Sequence, residues 1–269
     1  MKSCGMSIGA FGLALALFTA PVLAQDGPVK LGVLTDMSSL YADNGGQGSV
    51  VAAQMAVDDF GGQVLGRSIQ IVAGDHQNKA DVGATIARRW IENENVEVIL
   101  DVPNSAVALA VQGITRDKKK LFLATGAATS RLTGDECSPT GIHWTYDTYA
   151  LSQGTTRAMS RLGANSWYFI SVDYSRAVMH YLRAVQAAGT LDGPTIAAKM
   201  RDMPVNDFMT KNGRIREDGR LVRDMYLFRV KSPEQSNYKF DYYELLATIP
   251  GEEAFRPMEQ GGCPFLKQP

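Results

Sequence analysis

From Val29 to Thr129 the chain alternates between two hydrophobic periods. Val29 to Asp36 (VKLGVLTD) is a short β-branched run and predicts a strand. A loop of small and polar residues follows, Ser38 to Gly46. Val50, Ala53, Val57 and Phe60 then recur at helical spacing until Gly61-Gly62 stops the helix. Ser68 to Asp75 (SIQIVAGD) reads as the second strand. Asp81 is placed to cap a helix in which Val82, Ile86 and Trp90 recur every four residues. Val96 to Val102 is again apolar and breaks at Pro103. Asn104 and Ser105 precede an amphipathic run, and Leu121 to Ala124 leads into Thr125-Gly126-Ala127-Ala128-Thr129. The sum is β-α-β-α-β-α-β, which predicts an α/β fold: a doubly wound parallel sheet with helices on both faces. In such a sheet small ligands bind at the carboxyl ends of the strands. The loops at 103–105 and 125–129 both lie there.

Beyond Thr129 the pattern changes. Ile142 to Tyr146 predicts a connecting strand, Leu151 to Leu162 a helix, and Trp167 to Val172 (WYFISV) a buried strand ending at Asp173-Tyr174. Ala177 to Ala188 buries Val178, Leu182 and Val185 at helical spacing, and Gly189 ends it. Pro194 suits the first turn of another short helix. Asp218-Gly219 centres a hairpin between Ile215 and Leu221. Met225–Val230 and Tyr242–Ile249 are further strands, and the tail from Pro250 is irregular.

The first residues read as a targeting segment. Lys2 precedes an apolar run, Ile8 to Ala20, and Val22-Leu23-Ala24 fits a small-residue cleavage signal, which predicts export to the periplasm with cleavage after Ala24. Cys4 lies before the apolar run and would leave with it. The remaining Cys137 and Cys263 form an even pair in an oxidising compartment, which suggests a disulfide. Removal of the leader leaves roughly 245 residues, ample for a sizeable core. With 27 Lys and Arg against 28 Asp and Glu, nothing favours nucleic acid or an anionic membrane surface.

Candidate chemistry concentrates at the loops. Asn104 and Ser105 open a helix, whose N-terminal N–H groups suit a carboxylate as well as a plain cap. Gly46-x-Gly48 is no dinucleotide fingerprint, because Val51 holds the third glycine position. The nucleophile-elbow pattern likewise fails at Val50. His76, His143 and His180 are too far apart in sequence for metal-ligand spacing, so no metal and no cofactor is expected.

The exported start, the opening KLGVLTDMSSLYADNGGQGSVVAAQMAVDDFGG and the Ala127-x-Thr129 loop together resemble the periplasmic solute-binding proteins of ABC importers, in the leucine/isoleucine/valine-binding (type I) group. The resemblance spans residues 27–174 and 177–266. It implies two α/β lobes that close non-catalytically on a small carboxylate, such as a branched-chain amino acid, an amide or an aromatic acid. The partner would be membrane permease subunits, and the protein a monomer. It also implies ligand contacts at Tyr41, Asn104, Ser105, Ala127, Thr129, Tyr149 and Tyr174. In that group a backbone carbonyl and hydroxyl of the Ala-x-Thr loop hold the ligand's amino or polar end. Ser39-Leu40 stands where many members have Gly-Pro.

The resemblance breaks after Tyr174. Members continue there into several βα units of the second lobe, whereas SRAVMHYLRAVQAAG resembles the helix that returns to the first. The expected architecture is a first lobe from 25–146 and 176–230, with an incomplete second lobe from 147–175 and 231–269. Two other readings stay open: an internally deleted member with weak or no ligand binding, and an exported α/β enzyme.

Overall fold

A computed structural model of the chain describes residues 27–153, 174–207 and 209–266, without the side chains of Tyr174 and Ser175. The predicted strand Trp167–Val172 and most of the helix from Leu151 lie outside the described residues; helical structure there begins at Thr148.

The alternating pattern becomes β1 (Val29–Thr35), α1 (Gly46–Phe60), β2 (Gln63–Val64), β3 (Arg67–Asp75), α2 (Ala80–Asn93), β4 (Val96–Asp101), α3 (Ser105–Asp117), β5 (Leu121–Ala124) and β6 (Gly141–His143). These strands form one sheet in the order β2-β3-β1-β4-β5-β6. Every pairing is parallel except the β2-β3 hairpin, which the period alone does not reveal. Its turn, Leu65-Gly66, has both residues at positive φ, as a two-residue hairpin loop with the right twist requires.

The sheet carries a helical layer on each face. On one side Val29, Leu31, Val33, Leu100 and Leu123 pack against α1, α4 (Tyr174–Ala188) and α5 (Gly193–Asp202). On the other, Leu34, Ile99, Phe122 and Ala124 pack against α2 and α3. Trp90 of α2 sits flat on this second face: a Cβ on Gly32 would fall 2.6 Å from its ring. The stripe that α2 buries is Gly83, Ala84, Ala87 and Trp90, and its N-cap is Lys79. Asp81 therefore does not cap the helix; it lies in the first turn, where its charge still suits the positive end of the dipole.

The remaining elements attach at the β6 edge. The Asp218-Gly219 hairpin pairs β7 (Arg214–Ile215) with β8 (Leu221–Val222). Beside it His143 of β6 meets Arg220 in a parallel bridge. Among the described residues strand β9 (Met225–Val230) pairs only with β10 (Tyr243–Ile249), as a separate two-stranded ribbon. Phe228, Val230, Tyr242, Tyr243 and Leu245 of this ribbon region are exposed. A disulfide joins Cys137 to Cys263 and holds the tail against the loop before β6.

Candidate functional site

Strand order reverses between β1 and β4, and the loops that leave their carboxyl ends meet there. The first, residues 36–45, is built around two carboxylates. Asp36 accepts from the Ser39 hydroxyl at 2.6 Å, the Ser39 N–H at 3.0 Å and the Tyr41 N–H at 2.9 Å. Asp75, at the end of β3, accepts from the Ser38 hydroxyl at 2.6 Å and from the N–H groups of Met37 and Gln77. Burial by itself would raise both acids. These hydrogen bonds outweigh it and hold each below the ordinary carboxylate range. Tyr41 is thus positioned by Asp36, through a loop that contains Ser39-Leu40.

The loop after β4 is under backbone strain. Asp101 and Val102 have φ of 78° and 59°, an uncommon region for non-glycine residues and a costly one for β-branched valine. The Val102 N–H is tied to the Leu34 carbonyl. Asn104 is the N-cap of α3: its side-chain oxygen accepts from the N–H groups of Ala106 at 2.8 Å and Val107 at 3.0 Å. Its amide donates to the Asn78 side chain, in a turn where Gln77 and Asn78 also have positive φ. The Asn104 side chain is therefore used by the protein itself. Ser105, the first residue of α3, is half-buried beside it.

The loop after β5 abuts this one. A Cβ on Gly126 would lie 2.8 Å from both Asp101 Oδ1 and Pro103 Cα, so only glycine permits the approach. Three of its carbonyls accept hydrogen bonds from residues between His143 and Thr148. The Thr145 hydroxyl donates to Thr125 O at 3.1 Å, His143 Nε2 to Ala127 O at 2.7 Å and the Thr148 N–H to Ala128 O at 2.7 Å. Thr129 caps a short 3-10 helix, Ser130–Thr133, by accepting the Arg131 N–H. Ser130 Oγ accepts the Tyr149 N–H at 3.1 Å, which brings Tyr149 to the same rim. Tyr146 lies near Tyr41 and Asp101: burial, then these two groups, raise its hydroxyl pKa.

Tyr41, Asn104, Ser105, Ala127, Thr129 and Tyr149 all sit at this edge of the sheet. Ala127 is wholly buried, and the side chain of Tyr174, first residue of α4, lies outside the described residues. A cavity of about 10 Å³ lies beneath the rim, lined by Ser49, Asp101, Thr125 and Val178 among others. It has room for one water at most; a ligand at this edge would rest against the outer rim of the loops. Among the described residues no group of three His, Cys, Asp or Glu side chains is arranged to hold a metal ion. All three histidines are buried.

Sequence reading alone missed Asp36, Asp75 and His143. An acid at a strand end followed by Ser-Ser is a recognisable turn-forming signal. Nothing in the sequence shows that His143 reaches Ala127.

A parallel α/β lobe with polar loops converging at its switch point has the architecture of a small-molecule binding lobe. The family model described as periplasmic binding protein matches residues 28–178 and 175–237, and the chain belongs to that family. The two spans overlap at 175–178, and the chain is shorter than is typical of the family. Among solved structures it is similar to a periplasmic binding protein from Burkholderia mallei, with 28% identity and TM-score 0.81, covering 89% of this chain and 99% of that one. A branched-chain amino acid ABC transporter periplasmic ligand-binding protein from Burkholderia xenovorans is similar at 27% identity and TM-score 0.79, over 88% and 99%. A leucine-binding protein from Thermotoga maritima, 14% identical over 83% and 99% with TM-score 0.61, shares the fold. No curated protein matches the chain. Family and fold are those of non-catalytic solute-binding proteins of the periplasm, and no helix among the described residues is long and apolar enough to cross a membrane.

Proposed function

We infer that the chain is exported, cleaved after Ala24, and binds a small carboxylate non-catalytically at the loops after β1, β4 and β5, as the soluble component of an ABC importer. The observation that carries this reading is the close approach of the 103–105 and 126–129 loops at the switch point, beside the N-terminus of α3. Ser105 and Thr129 offer hydroxyls to the carboxylate, and Tyr41 and Tyr149 flank it. Asn104 and Ala127 shape the two loops from behind. The protein works as a monomer that hands its ligand to membrane permease subunits. Melting the purified protein against amino acids, amides and benzoate-like acids tests this. Stabilisation by several degrees, lost in Ser105→Ala and Thr129→Ala, supports it. A melt insensitive to every compound refutes it.

A second reading, an internally deleted member with weakened binding, is favoured by the two-part family match and by the exposed aromatic residues of the β9-β10 ribbon. A half-enclosed site leaves water competing for each polar contact. Dissociation constants in the millimolar range, where enclosed sites bind far more tightly, would mark this case.

A further inference from the structure

The turn between β3 and α2, residues 75–79, is not one of the three ligand loops, yet it is bonded to two of them. Gln77 and Asn78 have φ of 52° and 57°, a left-handed pair that asparagine tolerates far better than most side chains. The turn is tied down on both sides. The His76 N–H donates to Thr35 O and the Lys79 N–H to His76 O, each at 2.9 Å. His76 is buried, and its Nδ1 lies 3.0 Å from the Asn78 nitrogen. A backbone N–H only donates, so Nδ1 accepts and the ring proton sits on Nε2. Burial lowers the His76 pKa although the Asp36 and Asp75 carboxylates raise it, so Nδ1 keeps its lone pair at neutral pH.

The Asn78 side chain then meets Asn104. The Asn104 oxygen is used by the Ala106 and Val107 N–H groups. The atom that reaches Asn78 is therefore the amide nitrogen, and Asn78 receives it with its oxygen. The Asn104 amide is thus held from two directions, its oxygen by the helix and its nitrogen by the turn. This matters because Asn104 follows Asp101 and Val102, both at positive φ. Strained backbone of that kind persists only where the surroundings fix it.

The cap also sorts the donors of the α3 N-terminus. The Asn104 side chain takes the N–H groups of Ala106 and Val107, and its carbonyl takes that of Ala108. Among the described residues the Ser105 N–H and hydroxyl have no partner. They stay available at the positive end of the helix. The start of the same turn holds the first loop, where Asp75 accepts from the Met37 N–H and the Ser38 hydroxyl.

We propose that Asn78 is a positioning residue of the ligand site: through Asn104 it holds the N-terminus of α3, so that Ser105 offers its N–H and hydroxyl to a carboxylate in one fixed geometry. The proposal rests on the carboxylate-binding reading above and adds to it a residue that does not itself touch the ligand.

The left-handed backbone and the side-chain bond are separable by substitution. Asn78→Gly keeps the backbone, since glycine adopts positive φ at no cost, and removes only the bond. Amide hydrogen exchange on the full protein should show the Ala106 and Val107 N–H groups exchanging about two- to tenfold faster, the worth of one hydrogen bond, with the β4 and β5 amides unchanged. Asn78→Asp keeps both the tolerance for this backbone and an acceptor for Asn104, and should exchange as the wild type does. Calorimetric titration with leucine, pentanoate and benzoate should show the affinity of whichever acid binds falling by a similar factor in Asn78→Gly. Asn104→Ser still caps α3 but is too short to reach Asn78. In that background Asn78→Gly should change neither exchange nor affinity further, whereas a role in the turn alone would give the same loss in both backgrounds. Equal losses in the two backgrounds, or wild-type exchange and affinity in Asn78→Gly, overturn the proposal and leave the carboxylate reading standing. Failure of all three acids to bind the wild type sinks the reading and the proposal together.

Discussion

Arg220 and Asp147 form an ion pair buried from solvent on both sides, with Nη1 3.4 Å from Oδ2 and side-chain exposures of 0% and 2%. The guanidinium also lies over the Phe255 ring, 4.6 Å from its centroid. Asp147 in turn caps the helix that carries Tyr149, accepting the Ala150 N–H at 2.8 Å. The pair thus connects the turn that leads into β8, the segment after β6 and the C-terminal region around Phe255. Removing one partner leaves the other charge uncompensated in a medium that does not solvate it. Arg220→Met is expected to destabilise the fold by about 3–5 kcal/mol, and Arg220→Met with Asp147→Leu by clearly less. Urea denaturation of the three proteins checks this; equal losses in the single and double variants would contradict it.

Two glycines should respond with opposite signs to the same substitution. A Cβ at Gly32 would meet the Trp90 ring at 2.6 Å, inside a packed layer. Gly32→Ala forces the indole off its seat and should cost about 1–3 kcal/mol. Gly113 lies in the interior of α3, and a Cβ there would have nothing within 4 Å. Gly113→Ala should stabilise by about 0.5–1 kcal/mol, the helix preference for alanine. Melting temperatures that move in the same direction would mean that the Trp90 layer yields to a methyl group or that the outer face of α3 does not accept one.

The first loop provides a test of indirect effects on binding. Asp36 bonds the N–H of Tyr41 and both donors of Ser39, and Tyr41 stands at the rim. Asp36→Asn halves the acceptor capacity at this point, because an amide has one oxygen. The Tyr41 segment should loosen, and affinity for a carboxylate ligand should fall roughly tenfold, equivalent to about 1.4 kcal/mol. Tyr41→Phe keeps the backbone bond and should lose less. If the two variants bind alike, the carboxylate does not act by positioning Tyr41.

The course of the sheet was legible in the sequence because each element announces itself locally. β1, α1, β3, α2, β4, α3 and β5 each carry their own period, and Gly61 and Gly189, both at positive φ, mark where helices end. The β2-β3 hairpin escaped because two residues of strand are too short to show a period. The site divides the same way. Asn104 at a helix start and Thr129 before a short helical turn are local signals, and the structure finds both as caps. The bonds from His143 to Ala127, Asp75 to Ser38 and Arg220 to Asp147 join residues 16, 37 and 73 positions apart. Sequence spacing carries no information about contacts of that kind; they exist only once the strands are laid side by side.

The histidines set the acid limb of the stability profile. His76, His143 and His180 are all buried, and burial is the largest cause in lowering each pKa, that of His143 to about 3. A histidine whose folded pKa lies below its unfolded value of about 6.5 binds its proton more readily in the unfolded chain. Its contribution is therefore complete above about pH 6.5 and declines as pH falls toward the folded pKa. While the unfolded form alone is protonated, each group costs about 1.4 kcal/mol per pH unit. Asp36 and Asp75, held below the ordinary carboxylate value, add losses of the same sign only below about pH 4. Stability should thus be level from about pH 8 to 7 and fall between about pH 6.5 and 4, before the acids contribute. His143→Gln, which cannot titrate, should reduce that slope by one group's share while leaving the limb below about pH 4 in place. Urea midpoints measured from about pH 8 to 4 decide the matter: a flat profile, or a slope unchanged in His143→Gln, would mean that the ring is not buried neutral beside Arg220.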